Sequence, residues 1–251
     1  MELKILQVNA WTGRVKYALS RLIQERNCDV VCLQEAIWDA NHTEMLETYI
    51  DTIDKIKKDG GFEYEFRSST YGFKMLGGDV VFTQGNVILS KIPFKKTEEK
   101  TICGKSQIAA TAHEFEEVFR DHSCNVQKVT LENGLTVFNY HGYWLRNPFG
   151  DSDTVKYMKA VAEMIKNTPF PVVLCGDLNI ITESPAMREL DFLQDLTATN
   201  HIKNTLHPVK VKEDVACDHI LISDGISCQD FKVLEEFASD HKALEATLRM
   251  L

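Results

Sequence analysis

Asn9, Glu35, His141, Asp177, Asn179, Asp218, Asp240 and His241 are the side chains whose types suit chemistry, and each sits where an apolar run meets polar residues. The clearest instance is Pro171-Val172-Val173-Leu174-Cys175-Gly176-Asp177-Leu178-Asn179. It reads as a buried strand that Pro171 can only begin, with Gly176 allowing close approach of another backbone or a ligand. In an extended segment Asp177 and Asn179 point the same way. The same stretch also reads as a strand followed by a polar Asx-type turn. Carboxylates with an amide oxygen suit a hard divalent ion such as Mg2+, which is held by few protein ligands and keeps waters free for substrate. Histidines beside that set can donate to a phosphoryl oxygen, and a carboxylate bonded to a histidine fixes its tautomer and favours its protonated form. That combination is hydrolytic. Taken singly, Asn9 also fits a turn, Glu35 a solvated helix start, and His141 a hydrogen-bonded core histidine.

Periodicity predicts the strands and helices that carry these residues. Residues 3–8 predict a first strand, and Val15, Ala18, Leu19, Leu22 and Ile23 recur at helical spacing through Arg26. A second strand over residues 30–33 ends in Gln34-Glu35. Met45, Leu46, Tyr49, Ile50, Ile53 and Ile56 mark another helix, stopped by Asp59-Gly60-Gly61. Short strands are expected at residues 64–67, 79–82 and 87–89 and around Ile102 and Phe115. Residues 126–131 and 135–140 flank Glu132-Asn133-Gly134, a hairpin signal. Asp153 is expected to cap a helix carrying Val155, Met158, Val161, Ala162 and Ile165, and Ser184-Pro185 to open a short helix. Further strands fall near residues 216–222, 229–233 and 243–248. Many strands are adjacent without a helix between them, so the expected fold has sheets packed on each other with helices outside; a purely parallel doubly wound sheet fits poorly.

With 251 residues, 44% of them hydrophobic, the chain has ample material for a core, and a single domain over residues 1–251 is expected. A net charge of −9 disfavours nucleic-acid binding through a global field, while leaving room for a local basic cleft. Seven cysteines, none in a CxxC pair, read as reduced and mostly buried thiols, so thiolate chemistry is not indicated. No basic leader and no membrane-length apolar run is visible, so the expected location is the cytoplasm and no membrane partner is expected.

Seven motifs occur in one order: Gln7-Val8-Asn9, Cys32-Leu33-Gln34-Glu35, Gly85-Asn86-Val87-Ile88-Leu89-Ser90-Lys91-Ile92-Pro93, Tyr140-His141, Gly176-Asp177-Leu178-Asn179, Cys217-Asp218-His219-Ile220-Leu221 and Ser239-Asp240-His241. In this the chain resembles the endonuclease/exonuclease/phosphatase superfamily. These metal-dependent phosphoesterases include DNase I-like nucleases, AP endonucleases, inositol polyphosphate 5-phosphatases and bacterial sphingomyelinases. The resemblance runs from residue 5 to near the C-terminus and implies an α/β (α+β) four-layer sandwich, two mixed β-sheets face to face with helices on both outer sides. It implies Mg2+, with Mn2+ able to substitute, held chiefly by Glu35, with Asn9 and Asp240 contributing to the same region. Asp177 would orient or deprotonate the attacking water, and Asn179 would hold that residue or the phosphate. His241, paired with Asp218, would contact the scissile phosphate, and His141 would serve the phosphate or leaving group from the other side. The reaction implied is in-line water attack on phosphorus without a covalent intermediate.

Two departures bear on substrate. Trp11 stands where AP endonucleases usually carry an acidic or amide residue, and His141 is followed by Gly142-Tyr143-Trp144-Leu145-Arg146-Asn147-Pro148-Phe149-Gly150, which departs from the motif many relatives carry after the equivalent position. AP-site specificity is therefore not expected. Trp144 and Arg146 are suited to stack a base and bind a phosphate, although the loop also reads as ordinary packed surface. The leading expectation is a monomeric hydrolase of a phosphodiester or phosphomonoester, with nucleic acid or a nucleotide-like ester as substrate. A lipid or inositol head group is the runner-up, set back by the lack of a basic amphipathic helix or exposed hydrophobic hairpin signature. The alternative from another class is a non-catalytic interaction module, disfavoured because every expected acidic, amide and histidine position is filled.

Overall fold

A computed structural model describes residues 2–39, 47–74, 81–109, 111, 114, 118, 121–210 and 214–251. The predicted positions Met45, Leu46, Asp79 and Phe115 lie outside the described residues. The strands are β1 (Glu2–Asn9), β2 (Val30–Asp39), β3 (Tyr64–Lys74), β4 (Val81–Ser90), β5 (Phe94–Cys103), β6 (Ile108–Ala109), β7 (Cys124–Leu131), β8 (Thr136–Tyr140), β9 (Val172–Asp177), β10 (Gln194–Asp195), β11 (Asp218–Ile222), β12 (Ile226–Val233) and β13 (Leu244–Met250). One mixed sheet runs β12-β13-β1-β2-β4-β3-β6 and the other β10-β11-β9-β8-β7-β5. The longer helices are α1 (Ala18–Arg26), α2 (Ile53–Gly60) and α3 (Ser152–Lys166).

Strand alternation explains the layers. In β1, Leu3 and Ile5 pack between the sheets with Val30 and Cys32 of β2, Val137 of β8, Val173 and Cys175 of β9, and Ile220 and Ile222 of β11. Leu6 and Val8 point the other way, against Leu19, Leu22 and Ile23 of α1 and Ile53 and Ile56 of α2. Outside the second sheet, Phe138, Val172 and Leu174 meet Met158, Val161, Ala162 and Ile165 of α3 and Met187 and Leu190 of the short helix Pro185–Leu190. The result is the four-layer α/β sandwich, helices outside two facing sheets. No helix among the described residues is long and apolar enough to cross a membrane.

The inter-sheet face changes character along each strand. Gln7 and Asn9 follow Leu3 and Ile5 on one face of β1; Gln34 follows Cys32, Asn139 follows Val137, and Asp177 follows Cys175. The buried amides join across the gap: Gln7 Nε2 donates to Gln34 Oε1 at 2.9 Å, Gln34 Nε2 to Asn139 Oδ1 at 2.7 Å, and Asn139 Nδ2 to Gln127 Oε1 at 2.9 Å. One end of the sandwich is thus apolar and the other polar, and the polar end holds the residues singled out by type.

Several boundaries differ from the sequence reading for identifiable reasons. β2 does not stop at Gln34-Glu35. It bulges between Leu33 and Ala36 and continues to Asp39, with Glu35 at φ 48°. The short strands expected at residues 64–67 and 87–89 are parts of β3 and β4, whose pattern is broken by a register shift between Ser69 and Tyr71, and the one around Ile102 is part of β5. α1 begins at Ala18 rather than near Val15 because Tyr17 adopts φ 63°. The cap of α3 is Asp151, not Asp153: Asp151 Oδ1 accepts from Thr154 N at 2.9 Å, while Thr154 Oγ1 accepts from Asp151 N at 3.1 Å, a reciprocal capping box. The Asn-Gly hairpin forms between β7 and β8, with Gly134 at φ 91°.

Candidate active site

The site sits at the polar end of the sandwich, where five strands begin or end and β2 bulges. Asn9 ends β1, Glu35 occupies the β2 bulge, His141 follows β8 and Asp177 ends β9. β11 runs antiparallel to β9 with Asp218 opposite Asp177, so the first residue of one strand meets the last of the other. Asp240 and His241 lie just before β13. Two glycines let the backbones close in: a Cβ on Gly176 would stand 2.0 Å from Tyr140 O, and one on Gly142 would stand 2.1 Å from Leu178 O.

Asp177 is the hub. Its Oδ1 accepts from Asn179 N at 3.0 Å, the Asx-type turn, and its Oδ2 accepts from Asn9 Nδ2 at 3.0 Å and lies 3.6 Å from both His141 Nε2 and His241 Nε2. Asn9 Nδ2 also donates to Glu35 Oε1 at 3.0 Å, and Asn9 Oδ1 accepts from Trp11 N at 3.0 Å, so its amide nitrogen faces the carboxylates. Asn179, at φ 56°, donates from Nδ2 to Gly142 O at 3.0 Å. His241 Nδ1 meets Asp218 Oδ2 at 2.8 Å. Asp218 is itself fixed by Gln7 Nε2 on Oδ1 at 3.0 Å and by Thr205 Oγ1 on Oδ2 at 2.6 Å. Ser239 Oγ donates to Asn9 O at 2.6 Å, tying the Asp240-His241 segment to β1.

Glu35, His141, Asp177, Asn179 and Asp240 line a cleft of about 290 Å³, while Asp218 and His241 back it from beneath, 0% and 2% exposed. Trp11 and Trp144 form part of its wall. Arg146 lies on the same loop as Trp144 but is exposed and does not line the cleft.

Charge is balanced within this cluster. Burial would raise the Asp177 carboxyl, but His241, His141 and Lys210 outweigh it and hold the group down at about 2, so it stays ionised. Burial would lower His241, yet Asp218 and Asp177 raise it to about 9. Lys210 Nζ lies 2.7 Å from His241 Nε2, which only an unprotonated Nε2 can accept. In this arrangement His241 therefore carries its proton on Nδ1, toward Asp218; an anionic oxygen entering between Nε2 and Nζ would draw a second proton onto the ring, the direction Asp218 and Asp177 already favour, and both groups would then donate to it.

The donor set fits a hard cation. Glu35, Asp177 and Asp240 bring carboxylate oxygens to one cleft. Asp177, Cys217 and His241 also bring possible ligand atoms within 4.8 Å of one another, but burial, Asp177 and Asp218 push the Cys217 thiol well up, so it stays protonated and is a poor ligand. Sequence reasoning gave no place in the site to Lys210, Thr205 or the cleft-lining Tyr71, Gln84 and His122, and had Gln7 only as part of the Gln7-Val8-Asn9 motif. A lysine or threonine in a polar stretch carries no periodic signal; only Gln7, an amide inside an apolar strand, had one.

The chain matches the Endonuclease/Exonuclease/phosphatase family over residues 6–241. No curated protein matches it by sequence. Solved structures share its fold. An endonuclease/exonuclease/phosphatase from Beutenbergia cavernae is 20% identical, with TM-score 0.69, covering 99% of this chain and 72% of that one. The mannosyl-6-phosphatase of Bacteroides thetaiotaomicron is 14% identical, with TM-score 0.65, covering 99% and 100%. D. rerio TDP2 complexed with single strand DNA product is 16% identical, with TM-score 0.66, covering 99% of each chain.

Proposed function

The chain belongs to the endonuclease/exonuclease/phosphatase family, and on that premise we propose that it is a Mg2+-dependent hydrolase of a phosphodiester or phosphomonoester. The observation that carries this reading is the meeting of an ionised, buried Asp177 with His141 and His241, each 3.6 Å from the same carboxylate oxygen.

In this reading Glu35 and Asp240 supply oxygens to the cation, and Asn9 keeps Glu35 and Asp177 in register through its amide nitrogen. The bound cation neutralises charge that develops on phosphoryl oxygens. Asp177 accepts a hydrogen bond from the attacking water and aligns it with phosphorus, and Asn179 holds the turn that aims it. His241, oriented by Asp218, donates to a non-bridging oxygen, and His141 serves the phosphate or leaving group from the other wall. Trp11 and Trp144 on the cleft wall support a substrate with a flat group next to its phosphate, as in a nucleotide-like ester. Arg146, exposed on the Trp144 loop, would take a more distant phosphate. Two structural neighbours are named for a sugar phosphatase and for a protein with single strand DNA product, chemistry of the same class.

The test is turnover of bis(p-nitrophenyl) phosphate and p-nitrophenyl phosphate by purified protein with Mg2+, Mn2+ or a chelator. Cation-dependent release of nitrophenol that is lost in Asp177→Asn supports the assignment. Equal activity in chelator, or none on any ester while the fold is intact, removes it.

A further inference from the structure

Lys210 stands inside the cluster with no part in the reaction described above. Its Nζ lies 3.0 Å from Asp240 Oδ2 and 2.7 Å from His241 Nε2, on the cleft wall shared with Glu35 and Asp177, and only 33% of its side chain is exposed. The segment carrying it is bound to the site. Thr205 Oγ1 holds Asp218, His207 N donates to Asp240 O at 2.8 Å, and Lys210 N donates to His207 O at 3.0 Å. The Lys210 backbone is tied through His207 to Asp240, a residue that its side chain meets.

An ammonium has three donors. Asp240 and His241 Nε2 take two, and the third is left to the cleft. His241 Nε2 cannot donate while it accepts from Lys210; an incoming phosphoryl oxygen placed between them accepts from Nζ directly, and from Nε2 when a proton arriving with the phosphate or from solvent completes the imidazolium. We propose that Lys210 is a catalytic residue that binds a non-bridging oxygen of the scissile phosphate together with His241. This rests on the phosphoesterase reading and assigns it a further charged group. The same position gives Lys210 a second effect. Its ammonium shares Asp240 with any cation held by the carboxylates, so it opposes cation binding while it favours phosphate binding.

Those opposite signs make the test. Mn2+ alone is titrated into chelator-treated wild type, Lys210→Met and Lys210→Arg by calorimetry, and inorganic phosphate is then titrated in the presence of Mn2+. Lys210→Met should bind Mn2+ several-fold more tightly, since a positive charge near Asp240 is gone, and phosphate on the order of tenfold more weakly. Its kcat on p-nitrophenyl esters should fall by roughly 10²-fold or more, as for loss of one preorganised donor. Lys210→Arg should restore part of the phosphate affinity. Unchanged affinities for both ligands in Lys210→Met overturn the proposal. Weaker binding of both, with a lower melting temperature, assigns Lys210 to structure instead. Wild type that binds Mn2+ but not phosphate ends the Lys210 role alone, whereas wild type that binds neither and hydrolyses no ester ends the hydrolase reading with it.

Discussion

Asp177 gives its two oxygens different tasks, Oδ1 to the backbone of Asn179 and Oδ2 to the cleft, so the turn and the site coexist in one side chain. Asp177→Asn keeps the shape of the turn and removes the charge that positions water. Its kcat on p-nitrophenyl esters should drop about 10²- to 10⁴-fold while Mn2+ still binds, measured by steady-state kinetics and calorimetry. A near-normal rate in a preparation free of contaminating phosphatase would rule out that role. Glu35→Gln should instead shift the Mg2+ concentration needed for half-maximal rate upward, because the group lost faces the cation rather than the water. Trp144, 58% exposed on the cleft wall, should act on binding. Trp144→Ala should lose about 1–3 kcal/mol of affinity for a substrate with a flat group and leave a small ester hydrolysed as before, read as KM against kcat. The carboxylates and histidines were legible in the sequence because such groups rarely end apolar runs without a partner. Lys210 and Thr205 were not, since their types are ordinary in a polar segment and only the fold gives them neighbours.

Strands and helices were legible by existence more than by extent. The pair Gln34-Glu35 ends the apolar run of β2 in the sequence, yet the strand continues, because a bulge breaks the period of two without breaking the sheet. Asp153 looked like a cap by its place before an apolar stripe, whereas the reciprocal bonds with Thr154 belong to Asp151. Gly176 was read correctly as a point of close approach, and what approaches is the backbone of β8. The parallel pair β8 and β9 carries His141 and Asp177 past its ends, and this contact sets their separation. Gly176→Ala should therefore destabilise by about 1–3 kcal/mol through overpacking, and by more if the strands cannot part. Its activity should fall further than its stability predicts, since the displaced element bears Asp177. Denaturation midpoints and kcat measured on the same preparation decide this; a variant with full activity and lower stability would detach strand spacing from catalysis.

Across the whole molecule, charge buried at one end of an otherwise apolar sandwich links stability to pH. His219 points to the outer side of β11, fully buried, with Nδ1 3.0 Å from Asp195 Oδ2 and Nε2 3.0 Å from Ile180 O. Both acceptors lack protons, so both ring nitrogens must donate and the ring is held as a cation. Burial lowers its pKa, but Asp195 outweighs burial and the net direction is up. A raised pKa means that this pair stabilises the fold fully below the unfolded histidine value of about 6.5 and loses that contribution as pH rises through the folded value. His241, raised against burial to about 9 by Asp218 and Asp177, has the same sign in its doubly protonated form, in which Nε2 no longer accepts from Lys210. Asp177, held down at about 2, has the opposite one: its contribution is present above the unfolded carboxyl value of about 4 and is lost only as pH falls toward 2. These three groups together predict a plateau between about pH 4 and 6.5 and a decline from there to about pH 9 in chelator-treated protein. Urea midpoints across that range should show it, and His219→Gln should make the decline shallower without removing it, because His241 remains. A wild-type midpoint that stays level from pH 6 to 9, or a His219→Gln slope equal to that of wild type, would mean that His219 is not held as a cation in the fold.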